Sequence, residues 1–187
     1  MDLKERLRKY YHFTEQDSEV TLSHFVPERI SAKSYFLKEG KVSDRIAFIQ
    51  SGLLRSFIYN DNADDITTHF FLAGTVVISM DSFNRQVPSK EYIVAIEDSD
   101  LLVITWQNMQ ELCQQVPLWR QIIKDVDEYK FKEQMNRSIR FQTLSATERY
   151  QLLMQKKPDI IQKVALRHIA SYLGIDIATL SRIRKKL

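Results

Sequence analysis

Apolar positions change their rhythm three times along this chain. Over residues 2–26 they fall at helical spacing, and Thr14 with Asp17 three positions later has the spacing of a helix N-cap and its N3 partner. Near Ile30 the rhythm shortens. Segments 34–37, 45–50, 53–59, 66–71, 76–79, 92–96 and 101–105 are short, rich in Val, Ile, Phe and Tyr, and separated by punctuation such as Ser51-Gly52, Asn60-Asp61-Asn62 and Ala73-Gly74. Many short strands at such intervals predict an antiparallel roll or barrel. Three of the four glycines sit at these corners, so the turns are expected to be tight.

After Thr105, a plausible N-cap, the period becomes helical again, and residues 118–141 contain neither Gly nor Pro. There Trp119, Ile122 or Ile123, Val126, Tyr129 or Lys130, Glu133, Asn136 and Ile139 follow a three-four spacing that is apolar at first and mixed later. This describes either the contact helix of a homodimer or a helix packed on its own roll, and periodicity alone leaves both open. Ser145 and Glu148 form a capping box that opens a further helix through Met154, ended by Lys156-Lys157-Pro158-Asp159.

The last twenty residues carry the most specific pattern. Counted from Leu166, residues Ile169, Leu173, Ile175, Leu180 and Ile183 fall where two short helices crossing near a right angle must bury apolar side chains. Ala170 stands where the second helix leaves little room, and Gly174 stands in the turn, which requires a positive φ. In the second helix Leu180, Ile183 and Leu187 are expected to face inward, whereas Ala178, Ser181, Arg182 and Lys185 share the opposite face. A short and then basic outer face is what a helix entering a DNA groove needs. An ordinary amphipathic hairpin would not require this glycine, small residue and five apolar positions together.

Charge sharpens the picture. Residues 1–116 hold 12 Lys/Arg against 17 Asp/Glu, whereas residues 117–187 hold 15 against 7, so a total of +3 conceals a polarised chain. A cationic half suits a phosphate backbone, and an acidic remainder is repelled by it. No apolar run approaches a membrane span and the charged start is not followed by a signal-peptide core, so a soluble, cytoplasmic protein is expected. The single Cys113 rules out an intrachain disulfide and a four-thiolate metal site within one chain, and reads as a small core hydrophobe.

With roll, long helix and terminal helix pair in this order, the chain resembles the superfamily of the cyclic-AMP receptor protein and the fumarate and nitrate reduction regulator, the Crp/Fnr regulators. The resemblance spans nearly the whole chain and is carried most specifically by Phe36-Leu37-Lys38-Glu39-Gly40, by Ile49-Gln50-Ser51-Gly52-Leu53-Leu54-Arg55, by residues 169–175, and by residues 180–186. It implies an α+β chain: residues 1–116 as a sensor domain, an antiparallel β-roll (a double-stranded β-helix of cyclic-nucleotide-binding type) with flanking helices. Residues 117–143 would be a long dimerisation helix, and 144–187 a helix-turn-helix DNA-binding domain. A homodimer would read a near-palindromic operator on double-stranded DNA with half-sites roughly 34 Å apart. The resemblance also admits RNA polymerase as a further partner, and no membrane.

Two departures from the family pattern stand out. Relatives that bind cyclic nucleotides carry a Gly-Glu pair followed by Arg-Ser or Arg-Thr. After Gly74 this chain instead has Thr75-Val76-Val77-Ile78-Ser79-Met80-Asp81 and later Pro88-Ser89-Lys90-Glu91-Tyr92. The guanidinium needed for a bidentate phosphate contact is missing, so cyclic AMP is not expected as the effector, which stays unidentified, and no cofactor is expected. An effector pocket is placed around Arg55, Gly74, Arg85 and Ser89, although a solvated loop role fits Arg85 equally well. At the start of the second helix Asp176 suits the N-cap, while Ile177 and Ala178 offer only apolar contacts. Ala178, Ser181 and Arg182 are therefore the base-reading candidates, with Arg182 to guanine the sharpest, and Arg167, His168, Thr179, Lys185 and Lys186 are the phosphate candidates. The sequence ends at Leu187, so a β-hairpin wing after this helix is expected to be reduced or to lie outside this chain.

Other classes of function compete. A cupin-like metal enzyme needs clustered histidines, but His12, His24, His69 and His168 are dispersed and only His69 lies in a strand segment; no Ser-His-Asp order or glycine-rich phosphate loop is recognisable, so no catalytic residue or metal ligand is assigned. A ligand-sensing or protein-interaction module with a degenerate DNA-binding domain is the alternative, favoured by Ile177-Ala178 and the missing wing.

Overall fold

The computed structural model describes residues 2–187. Residues 2–26 form two helices rather than one, α1 (Leu3–Tyr11) and α2 (Glu15–Ser23), because each start has its own capping box, Asp2 with Glu5 and Thr14 with Asp17. His12 closes α1 with a left-handed φ of 56°.

Eight strands follow: β1 (Val26–Ile30), β2 (Tyr35–Leu37), β3 (Arg45–Ser51), β4 (Leu53–Tyr59), β5 (Asp65–Leu72), β6 (Val76–Val77), β7 (Tyr92–Ala95) and β8 (Ser99–Thr105). They make two four-stranded sheets, ordered β1-β8-β3-β6 and β2-β7-β4-β5. The expected roll is present. Pattern reading missed β1, since Pro27, Glu28 and Arg29 interrupt its apolar positions. It survives as an edge strand paired antiparallel to β8, where a proline need not donate to a ladder. The short helix α3 (Met80–Arg85) was also not foreseen.

The corner between β3 and β4 shows why its glycine is required. Gly52 has φ 102°, and a Cβ there would overlap the Ser99 hydroxyl, which accepts the Leu53 amide at 3.2 Å. Between the sheets Ile49, Leu54, Ile93 and Leu101 are fully buried.

Thr105 caps α4 (Trp106–Gln115) by accepting from the Asn108 amide. Helix α5 (Leu118–Thr143) follows, 26 residues long. Its first half settles one of the alternatives left open by periodicity: Trp119 and Ile122 are buried in the roll's second core with Phe13, Phe25 and Met109, and Ile123 and Val126 pack against it. The Trp119 indole N–H donates to the Thr21 hydroxyl at 2.9 Å, so the ring is anchored on α2. Cys113 lies in the same core, and burial pushes its thiol pKa up.

The C-terminal elements are α6 (Ala146–Lys156), α7 (Pro158–Lys163), α8 (Leu166–Leu173) and α9 (Ile177–Lys186). The Ser145–Glu148 capping box opens α6 as expected. Pro158 does not only end that helix: at the first position of α7 its missing N–H costs nothing, and a short extra helix forms. The chain divides into two compact units, Met1–Arg55 with Phe71–Glu128 and Ser56–Phe70 with Tyr129–Leu187, so the hairpin tip between β4 and β5 belongs with the C-terminal helices. Among the described residues no helix is long and apolar enough to cross a membrane.

Candidate nucleic-acid interface

Helices α8 and α9 are joined by the turn that the sequence required. Gly174 takes φ 66° and ψ 39°, and beyond it the Ile175 amide reaches back to the Ala170 carbonyl at 3.1 Å, which also accepts the Gly174 amide, so the end of α8 is closed by its own turn. Asp176 then caps α9: its carboxylate accepts the Thr179 amide at 2.7 Å and the Thr179 hydroxyl at 2.8 Å. The Thr179 amide first, and its hydroxyl second, hold the Asp176 carboxyl below the usual range. Ile169, Ala170, Leu173, Leu180 and Ile183 are buried, fixing the two helices against each other. Leu187, expected to face inward, is 59% exposed because it stands beyond the last turn of α9.

The outer face of α9 presents Ala178, Arg182, Lys185 and Lys186 to solvent, with Ser181 and Thr179 half-buried beside them. The Arg182 side chain lies back along the helix, its Nε 3.4 Å from the Ala178 carbonyl and a terminal nitrogen 3.4 Å from the Thr179 hydroxyl. These are long contacts, so the guanidinium has little to lose on turning outward. Thr179 already uses its hydroxyl proton on Asp176, which leaves it only as an acceptor in this arrangement. Arg167 is exposed and contacts the half-buried His168 through Nε at 3.2 Å.

The unit also contains positioning residues that sequence reasoning missed. Arg137 of α5 donates to the carbonyls of Thr67, Thr68 and Tyr172, and its guanidinium stacks 4.5 Å from the centre of the Tyr172 ring. Arg149 of α6 donates to the carbonyls of Leu173 and Leu144. Two arginines therefore satisfy the last carbonyls of α8, a role that basic side chains commonly take at helix C-termini. Ser171, also on α8, exchanges hydrogen bonds with the backbone of Asp65 and Thr67. Asp64, Asp65 and Ile66 consequently share a groove with Arg167, Ser171 and Ala178. Nothing in the local sequence signals these contacts, most of which join residues 24 to 106 positions apart.

Residues 27–116 match the family model of the cyclic nucleotide-binding domain. No curated protein matches the sequence. Among solved structures, the chain is similar to the c-di-GMP responsive global regulator CLP of Xanthomonas campestris, at 18% identity and a TM-score of 0.74, covering 92% of this chain and 91% of that one. It is also similar to a Crp/Fnr-family transcriptional regulator from Eubacterium rectale, at 14% identity and a TM-score of 0.73 over 95% of this chain and 84% of that one. A CooA variant from Carboxydothermus hydrogenoformans has 18% identity and a TM-score of 0.71, over 100% of this chain and 84% of the other. The fold is that of the Crp/Fnr regulators.

Within residues 27–116, Gly74, Arg85 and Ser89, singled out for an effector pocket, each have a different partner. Arg55 is buried. The Gly74 carbonyl accepts from the Arg6 guanidinium of α1. Arg85, at the end of α3, is exposed and pairs with Asp81 one turn earlier at 3.1 Å. Ser89 is buried and organises its own turn, accepting the Glu91 amide at 3.0 Å and meeting the Ser79 hydroxyl at 3.2 Å. Among the described residues no group of three or more His, Cys, Asp or Glu is placed to hold a metal ion.

Proposed function

We propose that this chain is a sequence-specific DNA-binding transcription regulator, acting as a homodimer on a near-palindromic operator, with α9 as its reading helix. The observation that carries the reading is the reading face itself: Ala178, Arg182 and Lys185 stand outward on a helix whose start is capped by Asp176 and whose back is locked by Leu180 and Ile183. Arg182 contributes the guanine contact, Ala178 and Ser181 the neighbouring base contacts, and Arg167, His168, Lys185 and Lys186 the phosphate contacts, which Thr179 joins only where its hydroxyl turns from Asp176. Support for a second copy comes from α5, whose Phe131, Met135 and Ile139 recur every four residues and are 64%, 51% and 51% exposed. This stripe differs from the seam expected from the first half of the helix, which the protein's own roll occupies.

The roll is proposed as the sensor of a signal other than a cyclic nucleotide, since the arginine nearest to a phosphate-binding role, Arg85, is spent on Asp81 at the surface. A cytoplasmic location and contact with RNA polymerase follow from the same reading. A second reading, a sensing or interaction module with a degenerate DNA-binding domain, is favoured by Ile177, which is 50% exposed at the tip of α9. Site selection from a random duplex pool with purified protein, followed by salt titration on the enriched site, separates the two. A palindromic consensus with a steep salt slope supports the regulator. No enrichment from a folded dimer, with or without cell extract metabolites, moves the interaction module to first place.

A further inference from the structure

A second charged feature lies in the C-terminal unit, away from the reading face. Between the second half of α5, α6 and the end of α8 lies a small cleft of about 60 Å³, open to solvent on one side. Its walls hold Arg137, Arg140, Arg149, Lys156 and Lys157, opposed by Glu133 as the one carboxylate among the lining residues. Arg137 and Arg149 are occupied with backbone carbonyls of α8, the hairpin and the α5–α6 link. Three cations remain, and their compensation is poor. Arg140 meets Glu133 only at 3.8 Å. Lys157 is half-buried, and its ammonium makes no hydrogen bond or ion pair among the described residues. Burial foremost, then Arg140 and Lys156, push its pKa down against the opposing pull of Glu133. A half-buried cation with like charges beside it is an unfavourable arrangement unless an anion enters.

We propose that this cleft is a binding site for a small organic phosphate. The five cations against Glu133 leave a net charge of about +4, and Arg140, Lys156 and Lys157, whose side chains are not held by backbone carbonyls, would face a phosphomonoester carrying roughly −1.5 to −2 at neutral pH. The guanidinium of Arg140 supplies a two-pronged contact and the two lysines supply point charges. Phe141 and Leu152 in the same wall offer an apolar surface for the organic part. The cleft shares none of the residues assigned to base or phosphate contacts of DNA, and its small size suits a compact anion better than a continuous backbone. Because α8 forms one wall, occupancy would brace the helix that carries the reading turn; that extension rests on the proposed function, whereas the binding site itself does not.

Calorimetric titration of the full chain with inorganic phosphate, pyrophosphate and adenosine 5′-monophosphate, at constant ionic strength and without DNA, tests the assignment. One saturable site per chain is expected for pyrophosphate or the nucleotide, weakened at least about tenfold by Lys157→Gln and by Arg140→Gln and unchanged by Lys41→Gln on the roll surface. Thermal unfolding guards against a merely misfolded variant: Lys157→Gln should melt no lower than the parent, since it removes an uncompensated cation, and should lose the rise in midpoint that the ligand gives. Absence of saturable binding by all three probes, or equal binding by the variants, overturns the proposal. It is overturned equally if random duplex DNA displaces the probe and itself loses affinity in Lys157→Gln, which would make the cleft a backbone contact. Failure of operator selection with intact phosphate binding would leave this site standing and remove only the DNA reading.

Discussion

The hydroxyl of Ser171 closes on the backbone beside Asp65, donating to the Asp65 carbonyl at 2.9 Å while accepting the Thr67 amide at 2.8 Å. β5 is the edge strand of its sheet, and a side chain of α8 hydrogen-bonds its backbone. Ser171→Ala leaves the amide of the fully buried Thr67 without its partner. The expected cost is about 1–3 kcal/mol. Hydrogen exchange should show protection lost first at the Thr67 amide; unchanged protection there would mean that water or a shifted strand replaces the hydroxyl.

Gly174 is constrained twice. Its φ of 66° disfavours any L side chain, and a Cβ built there would stand 2.7 Å from Cε1 of Phe141. Gly174→Ala therefore combines roughly 1–2 kcal/mol of left-handed backbone strain with a displacement of the Phe141 ring, on which Arg137 and Arg149 both stack. Denaturant unfolding should show a loss larger than strain alone. Adding Phe141→Leu should recover the steric part and leave the strain, so full recovery would contradict the backbone argument.

The roll, the long helix and the α8–α9 pair were legible because each rests on local rules: strand-length apolar runs, capping boxes at Thr14 and Ser145, and a glycine with a fixed sign of φ at residue 174. What was not legible depends on partners far along the chain. β1 exists because β8 pairs with it, although Pro27 and Glu28 spoil its own pattern. The period of α5 was visible, but which face meets the roll was not, because Trp119 finds its place only with Phe13 and Phe25. On α9 the outward residues follow from helical spacing, while the arginines that brace α8 looked like any others in a basic segment.

His69 makes stability depend on pH. It lies on β5, where burial first, and then Lys130, Lys157 and Arg137, hold its pKa well below the usual histidine range. A depressed histidine pKa means that the unfolded chain takes up the proton first as pH falls. The stability of the neutral form is fully present above about pH 6.5 and declines below it until the folded pKa is reached, with a slope of at most about 1.4 kcal/mol per pH unit. Carboxylates held low in the folded chain, such as Asp98 and Glu148, lose their contribution only in more acidic solution. Urea midpoints at pH 7.5 and 5.5 should therefore differ more for the parent than for His69→Gln. An equal difference in both would show that the imidazole is protonated in the folded state.

Under the proposed function, Arg182 and Lys185 separate specificity from affinity on the same helix face. Both are exposed on α9 three residues apart, but Arg182 lies one turn from the helix start and its guanidinium lies against Ala178, whereas Lys185 stands in the last turn. A helix that enters the major groove by its N-terminal end brings the first of these to base edges and the second to the backbone. Arg182→Ala should then cost about 1–3 kcal/mol on the selected operator, relax preference at one base pair of each half-site and leave random DNA nearly unaffected. Lys185→Ala should weaken both DNAs alike and reduce the salt slope by about one per reading helix. Competition titrations of each variant against operator and random duplex, at two salt concentrations, measure both quantities. Equal losses on the two DNAs for Arg182→Ala would move it to the backbone contacts and leave Ser181 and Ala178 as the base-reading candidates.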